Sequence, residues 1–218
     1  MRVVVVGAGT GVGKTHVACA LAAALVRRGQ PLTARKPVES GYDEPVSDAA
    51  ALARAALHPT ITPTFALAEP VSPHRAARRA GLTIDLEPIR ASWSGDSATL
   101  VESAGGLLSP LAPGLTNLDL AAAVEPDVVV LVVANRLGAL HDVRACTMAL
   151  ATRALDTRVL VALSEPAARD AATEHNAEEL EALGWAVRVV EFPRALLEDG
   201  STCAAAESLA EFVLAARP

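Results

Sequence analysis

The chain predicts an α/β protein: one domain over residues 1–218, with a mostly parallel sheet sandwiched between two layers of helices. Three observations carry this expectation. Short β-rich runs at 2–6, 31–36, 98–102, 128–133, 158–163 and 186–190 alternate with alanine-rich stretches of helical spacing, and strands separated by helices imply a parallel sheet covered on both faces. The first run, Val3 to Val6, is a β-branched strand that empties into a glycine-rich turn ending Gly13-Lys14-Thr15. The chemically distinctive residues then fall just past strand ends, in the 7–15 loop and from Lys36, Glu102 and Asn135 onward, where ligands bind in open α/β sheets.

Composition narrows the classes. At 218 residues the chain has length for one sizeable core. Hydrophobic content is 51%, a large share of it alanine, and no stretch approaches the ~20 apolar residues of a membrane span. The apolar run after Met1-Arg2 is too short for a signal peptide and leads straight into the glycine turn, so a cytoplasmic protein with no membrane partner is expected. A net charge of −6 without a Lys/Arg cluster argues against a nucleic-acid partner. Cys19, Cys146 and Cys203 lack paired metal-ligand spacing and read as buried or idle thiols. The chain has only two lysines, Lys14 and Lys36, both in glycine-bearing motifs.

Taken in order, the elements assign chemistry. Loop 7–15 is a variant phosphate cradle, because Ala8 occupies the place of the first glycine in G-x-x-x-x-G-K-[ST]. The glycines let backbone N–H groups converge on an anion at the following helix's positive end. Lys14 then serves the β/γ-phosphates and the Thr15 hydroxyl serves Mg²⁺, which makes the fold P-loop NTPase-like. After the second strand, Arg35-Lys36-Pro37-Val38-Glu39-Ser40-Gly41 uses a proline corner to deliver Lys36 and Ser40 to the crevice, with Glu39 read as exposed. Asp48 opens an alanine-rich helix and is both a metal-ligand candidate and an ordinary N-terminal residue beside the Ser47 cap. Residues 57–75 read as an irregular loop or lid. Glu102 ends a buried strand next to Gly105-Gly106 and suits Mg²⁺, which takes one or two carboxylates with phosphate oxygens and waters. Residues 165–183 read as a solvated acidic helix. In the tail, Leu209, Phe212, Val213 and Ala216 share one helical face, with Arg217 beyond.

The glycine loop, KPVESG, SDAAAL at 47–52, EPVSPH at 69–74 and ESAGGLLSPL at 102–111 together resemble the dethiobiotin synthetase family. The resemblance implies an ATP- and Mg²⁺-dependent ligase that carboxylates 7,8-diaminopelargonic acid with CO₂ and closes a cyclic urea through a carbamic-phosphoric anhydride. It implies a homodimer in which one copy holds the substrate tail bound to the other. Carried over by position, Lys36, Lys14 and Thr10 are catalytic, and Thr15, Asp48 and Glu102 hold the metal. Gly11, Val12, Gly13, Lys14, Thr15 and His16 meet the nucleotide, as do Asp48, Glu102, Ser103, Ala104 and Gly105. Leu163, Ser164, Pro193, Arg194 and Ala195 lie toward its base, and Ser40, Gly138, Ala139 and His141 toward the substrate. The chain departs from the family pattern at three places: Ser103 replaces a glycine, His141 an asparagine, and Leu163 an asparagine that reads adenine. The last change predicts relaxed nucleobase choice, since hydrogen-bonding sites give the large specificity ratios. A nucleotide-switch ATPase of the partitioning class and a non-catalytic homologue are the alternatives; the former carries a lysine where this chain has Gly9.

Overall fold

A computed structural model describes residues 1–43, 46–93, 95, 98–153, 157–185 and 188–216. The first two residues of the expected strand at 186–190, and Arg217, lie outside them. Strands β1 (Arg2–Gly7), β2 (Thr33–Arg35), β5 (Thr99–Gly106), β8 (Val128–Ala134), β9 (Arg158–Ser164) and β10 (Arg188–Phe192) form one sheet in the order β10-β9-β8-β1-β5-β2. Every pairing within it is parallel. β3 (Val38–Ser40) pairs in parallel with β4 (Phe65–Leu67), and β6 (Pro110–Ala112) pairs antiparallel with β7 (Leu115–Thr116).

Strand alternation divides the core. Val3, Val5, Leu100, Val130 and Val132 face α1 (Lys14–Arg27), α2 (Asp48–Ala55) and α8 (Gly200–Ala215), packing with Leu21, Leu25, Leu52, Leu209 and Val213. The intervening Val4, Val6, Val101, Leu131 and Val133 face α5 (Asn117–Val124), α6 (Ala139–Ala151) and α7 (Asn176–Leu183). Both faces of the central strands are thus apolar, as a parallel sheet between helix layers requires. A third cluster, with Val38, Leu67, Ile84, Ile89 and Leu111, lies under the small sheets, α3 (Pro73–Arg79) and α4 (Leu86–Ser92).

The expected three-layer α/β arrangement holds, and two local expectations are corrected. Residues 57–75 are not uniformly irregular: β4 registers Phe65 opposite Val38, and Pro73 opens α3, a position where its missing N–H costs nothing. Within 165–183 only α7 is helical. Before it, the Asp170 carboxylate accepts from the N–H groups of Ala172 and Thr173 at 2.9 and 3.1 Å, giving that backbone an alternative to helix. Leu209 and Val213 are fully buried, with Phe212 and Ala216 packed beside them. Cys19 and Cys146 are buried free thiols, which burial pushes up to about 12 and about 11 respectively. Among the described residues, no helix is long and apolar enough to cross a membrane.

Candidate active site

Strand β1 delivers the chain to a turn that only glycine fits at two points. Gly13 has φ +91°, and a Cβ there would come within 2.7 Å of Ser164 Oγ; a Cβ on Gly7 would meet the Lys14 stem at 2.9 Å. This lets α1 begin at Lys14, whose side chain folds back so that Nζ donates to the Gly9 carbonyl at 3.0 Å. Lys14 is buried, and the resulting desolvation lowers its pKa to about 8, against the attraction of Glu102. That hydrogen bond is to a neutral acceptor, so an arriving phosphate restores what burial removes.

Lys36 follows edge strand β2 and turns inward. Its Nζ donates to Glu102 Oε1 at 2.5 Å and to Asp48 Oδ2 at 2.7 Å. Burial works to lower its pKa, but the two carboxylates outweigh that and raise it, so this lysine stays charged. Glu102, on β5 and fully buried, also accepts from the Thr15 hydroxyl at 2.7 Å through the same Oε1. Its second oxygen, Oε2, is buried with no hydrogen-bond partner. A buried carboxylate oxygen left open beside a hydroxyl and a half-exposed Asp48 carboxylate is a donor set that fits a hard divalent cation.

One cavity of about 350 Å³ brings together Thr10, Gly11, Gly13, Lys14, Thr15, His16, Lys36, Asp48, Glu102 and Gly105. A second, of about 420 Å³, continues from Gly11, Val12, Gly13 and His16 to Ser164 and Arg194. His16 ties the two: its Nε2 lies 3.3 Å from the Pro193 carbonyl and its ring meets Phe192 edge-on. Leu163 is fully buried and Pro193 half-buried, both lining an adjoining hollow, and Ala195 follows on the same loop. Ser103 is fully buried with its Oγ unpartnered, and Ala104 is also in the core, so neither side chain lines the phosphate cavity. Ser40 lies on β3, while Gly138, Ala139 and an exposed His141 lie at the start of α6; none of the four lines these cavities.

Glu39 corrects the reading of it as exposed. It is buried, and its two oxygens accept the first N–H groups of α2, Asp48 N at 2.7 Å and Ala49 N at 3.1 Å. Burial raises its carboxyl pKa against the downward pull of those bonds. Alongside Ser47, which accepts from Ala50 N at 3.1 Å, Glu39 fixes the helix end that presents Asp48 to Lys36. Two buried asparagines brace the loops around the site: Asn135, whose strand end the sequence marks, and Asn117, which it does not. Asn117 Nδ2 donates to the Ala104 and Gly106 carbonyls at 2.5 and 2.9 Å, bracing the glycine-rich end of β5. Asn135 Nδ2 donates to the Thr173 carbonyl at 3.0 Å, while its Oδ1 accepts from Asn176 at 2.8 Å, tying the 135–138 loop to α7.

Fold and cavity together define a P-loop nucleotide-binding protein. Residues 1–194 match the AAA_26 family model, described as an AAA domain. The chain is 41% identical over 176 residues to the ATP-dependent dethiobiotin synthetase of Caulobacter sp. (strain K31), covering 74% of each protein. It is 39% identical over 193 residues to that of Mycobacteroides abscessus, covering 85% of this chain and 84% of the relative. The chain belongs to the dethiobiotin synthetase family. In fold alone it is similar to the signal recognition particle receptor FtsY from Elizabethkingia anophelis, with TM-score 0.57, 16% identity, and coverage of 97% of this chain and 65% of that one.

Proposed function

We propose that the protein is an ATP-dependent dethiobiotin synthetase. The carrying observation is the convergence of both lysines of the chain on one cavity with Thr15, Asp48 and Glu102. In the reaction, CO₂ adds to one amine of 7,8-diaminopelargonic acid, and the carbamate oxygen attacks the γ-phosphorus as ADP leaves. The second amine then attacks the carbamic-phosphoric anhydride at its carbonyl carbon, expelling phosphate and closing the ureido ring.

The difficulty is electrostatic, because an anionic carbamate must reach an anionic phosphate. Lys14 binds the β/γ-oxygens, and Lys36, held charged and buried, faces the carbamate and the transferring phosphoryl group. Thr10, which lines the cavity beside Lys36, orients the carbamate, and the P-loop backbone from Gly11 to Thr15 fixes the phosphate chain, so the reactants meet in line; Ser40, outside the cavity on β3, is left to the diamine beyond it. Thr15, Asp48 and Glu102 would hold Mg²⁺, which when bound supplies Lewis-acid neutralisation of phosphate charge. The nucleobase lies along Ser164, Pro193, Arg194 and Ala195, and in a homodimer Gly138, Ala139 and His141 of the second copy receive the substrate's tail carboxylate.

The test is phosphate release from ATP with the diamine and bicarbonate added together or separately. Release that requires both, with a cyclic urea product by mass spectrometry, supports the reading. Hydrolysis indifferent to the diamine, or none, overturns it.

A further inference from the structure

The catalytic reading leaves open what fixes Lys36 at the end of an edge strand. β2 is three residues long and pairs on one side only, with β5. The N–H of Ala34, two residues before Lys36, is not left to solvent on the open side: it donates to Nε2 of His58 at 2.9 Å. An Nε2 that accepts carries no proton, so the ring proton is on Nδ1, which lies 2.7 Å from the Pro59 carbonyl and donates to it. Both ring nitrogens are therefore engaged in one tautomer and one orientation.

His58 reaches the strand through a strained helix end. α2 stops at Ala55, and the chain reverses with Leu57 N donating to Arg54 O at 3.2 Å and His58 N to Ala53 O at 3.0 Å. This is the paired bonding of a Schellman motif, whose left-handed position is normally glycine. Here it is Leu57, at φ +56° and 79% exposed, one of only two non-glycine residues with positive φ among those described. An exposed leucine in that conformation gains little packing to offset its strain. Its observable consequence is the placement of His58. The α2 segment thus grips the Lys36 strand twice: Asp48 at its start holds Nζ at 2.7 Å, and His58 just past its end holds the backbone of Ala34.

We propose that His58 is a positioning residue for Lys36, acting as a hydrogen-bond acceptor that holds edge strand β2 so that the ammonium stays on Glu102 and Asp48. The assignment rests on the catalytic role proposed above for Lys36. Its test has a readout that does not depend on that role.

With two lysines in the chain, ¹⁵N-lysine labelling gives at most two side-chain ammonium resonances, and Lys36→Arg assigns them. Wild type is expected to show a slowly exchanging Lys36 ammonium. His58→Phe, a ring without an acceptor, should lose that protection and lower kcat roughly tenfold or more, with nucleotide KM within about twofold. His58→Gln, which returns an acceptor oxygen, should restore both. If the Phe variant does not fold, His58→Leu takes its place. The proposal is overturned by an unprotected Lys36 in wild type, by protection retained without the acceptor, by loss of protection that leaves kcat unchanged, or by failure of Gln to rescue. Should wild type form no cyclic urea, the functional reading falls alone, and the ammonium resonances still decide whether His58 holds Lys36.

Discussion

Nucleotide binding should take up a proton at Lys14, and the amount follows from the site. Desolvation brings this ammonium to a pKa of about 8 in the free protein, so at pH 8 about half the molecules carry it neutral. A phosphate charge at about 4 Å, with an effective dielectric near 20, contributes roughly 4 kcal/mol, enough to keep the bound ammonium protonated throughout this range. Binding should therefore take up about 0.1 proton at pH 7, about 0.5 at pH 8 and about 0.9 at pH 9, and apparent affinity should fall about tenfold from pH 7 to pH 9. Calorimetric titration with ADP and Mg²⁺ in two buffers of different ionisation enthalpy reads the uptake most cleanly at pH 8 and 9, where the nucleotide's terminal phosphate, with a pKa of about 6, is ionised. Lys14→Met should abolish the pH-dependent part. Proton uptake that is flat from pH 7 to 9 would refute a desolvated, phosphate-facing Lys14. The same shift acts on folding with a definite sign. Between about 8 and the ordinary lysine value of 10.5 the unfolded chain holds more protons at this position, so its contribution to stability rises with pH through that window.

Four further outcomes follow from particular contacts. Glu39→Ala should cost about 3–5 kcal/mol in denaturant unfolding, because two helix-end N–H groups lose a buried charged acceptor; Glu39→Gln, which keeps one acceptor oxygen, should cost about half, and a loss under about 1 kcal/mol for Ala would count against the cap. Leu57→Gly should stabilise the protein by about 1 kcal/mol by relieving the left-handed leucine, read as a higher urea midpoint; a lower midpoint would show that the leucine packs. Lys36→Met should destabilise by about 3–5 kcal/mol, since it leaves the Glu102 carboxylate buried without its cation, and Mg²⁺ should recover part of the melting temperature; a melting point indifferent to Mg²⁺ would move the metal elsewhere. ATP, GTP and CTP should support phosphate release within about tenfold of one another, because the buried Leu163 offers no hydrogen bond to a base; a preference beyond about a hundredfold would mean that another group reads it.

The main sheet and the phosphate loop were legible because each rests on a local signal. Val3 to Val6 is a continuous β-branched run, and the glycines after it are required by backbone geometry that Gly13 shows directly. Lys36 was legible because lysine is so scarce here. Glu39 was not, because nothing in KPVESG says which way a three-residue strand turns its side chains; its burial is decided by the approach of α2 from nine residues away. β4 and β6 were missed for the same reason, since three residues carry too little periodicity to read. The absence of helix from 165 to 175 depends on Asp170 and Thr173 bonding backbone locally and across to Asn135, a competition that charge patterning does not register.

The two lysines are prepared in different ways, and that difference has a consequence for how charge is supplied. Lys36 is matched to carboxylates at 2.5 and 2.7 Å, so the pair Lys14 and Lys36 faces the pair Glu102 and Asp48 across one cavity, and when all four are ionised their formal charges cancel. A triphosphate entering such a site finds no net positive charge waiting for it. On the proposed reading its binding energy would come from the oriented N–H groups at the start of α1, from the proton that Lys14 regains, and from a divalent cation that would share the carboxylates with Lys36. Displacing Lys36 from those carboxylates before the cation arrives would expose Glu102 as an uncompensated buried charge, so release of the ammonium toward an anionic substrate and occupation of the carboxylates are coupled events. A cavity that is neutral at rest therefore holds its second ammonium on Glu102 and Asp48, and on the proposed reading these carboxylates would release it only once another cation had taken its place.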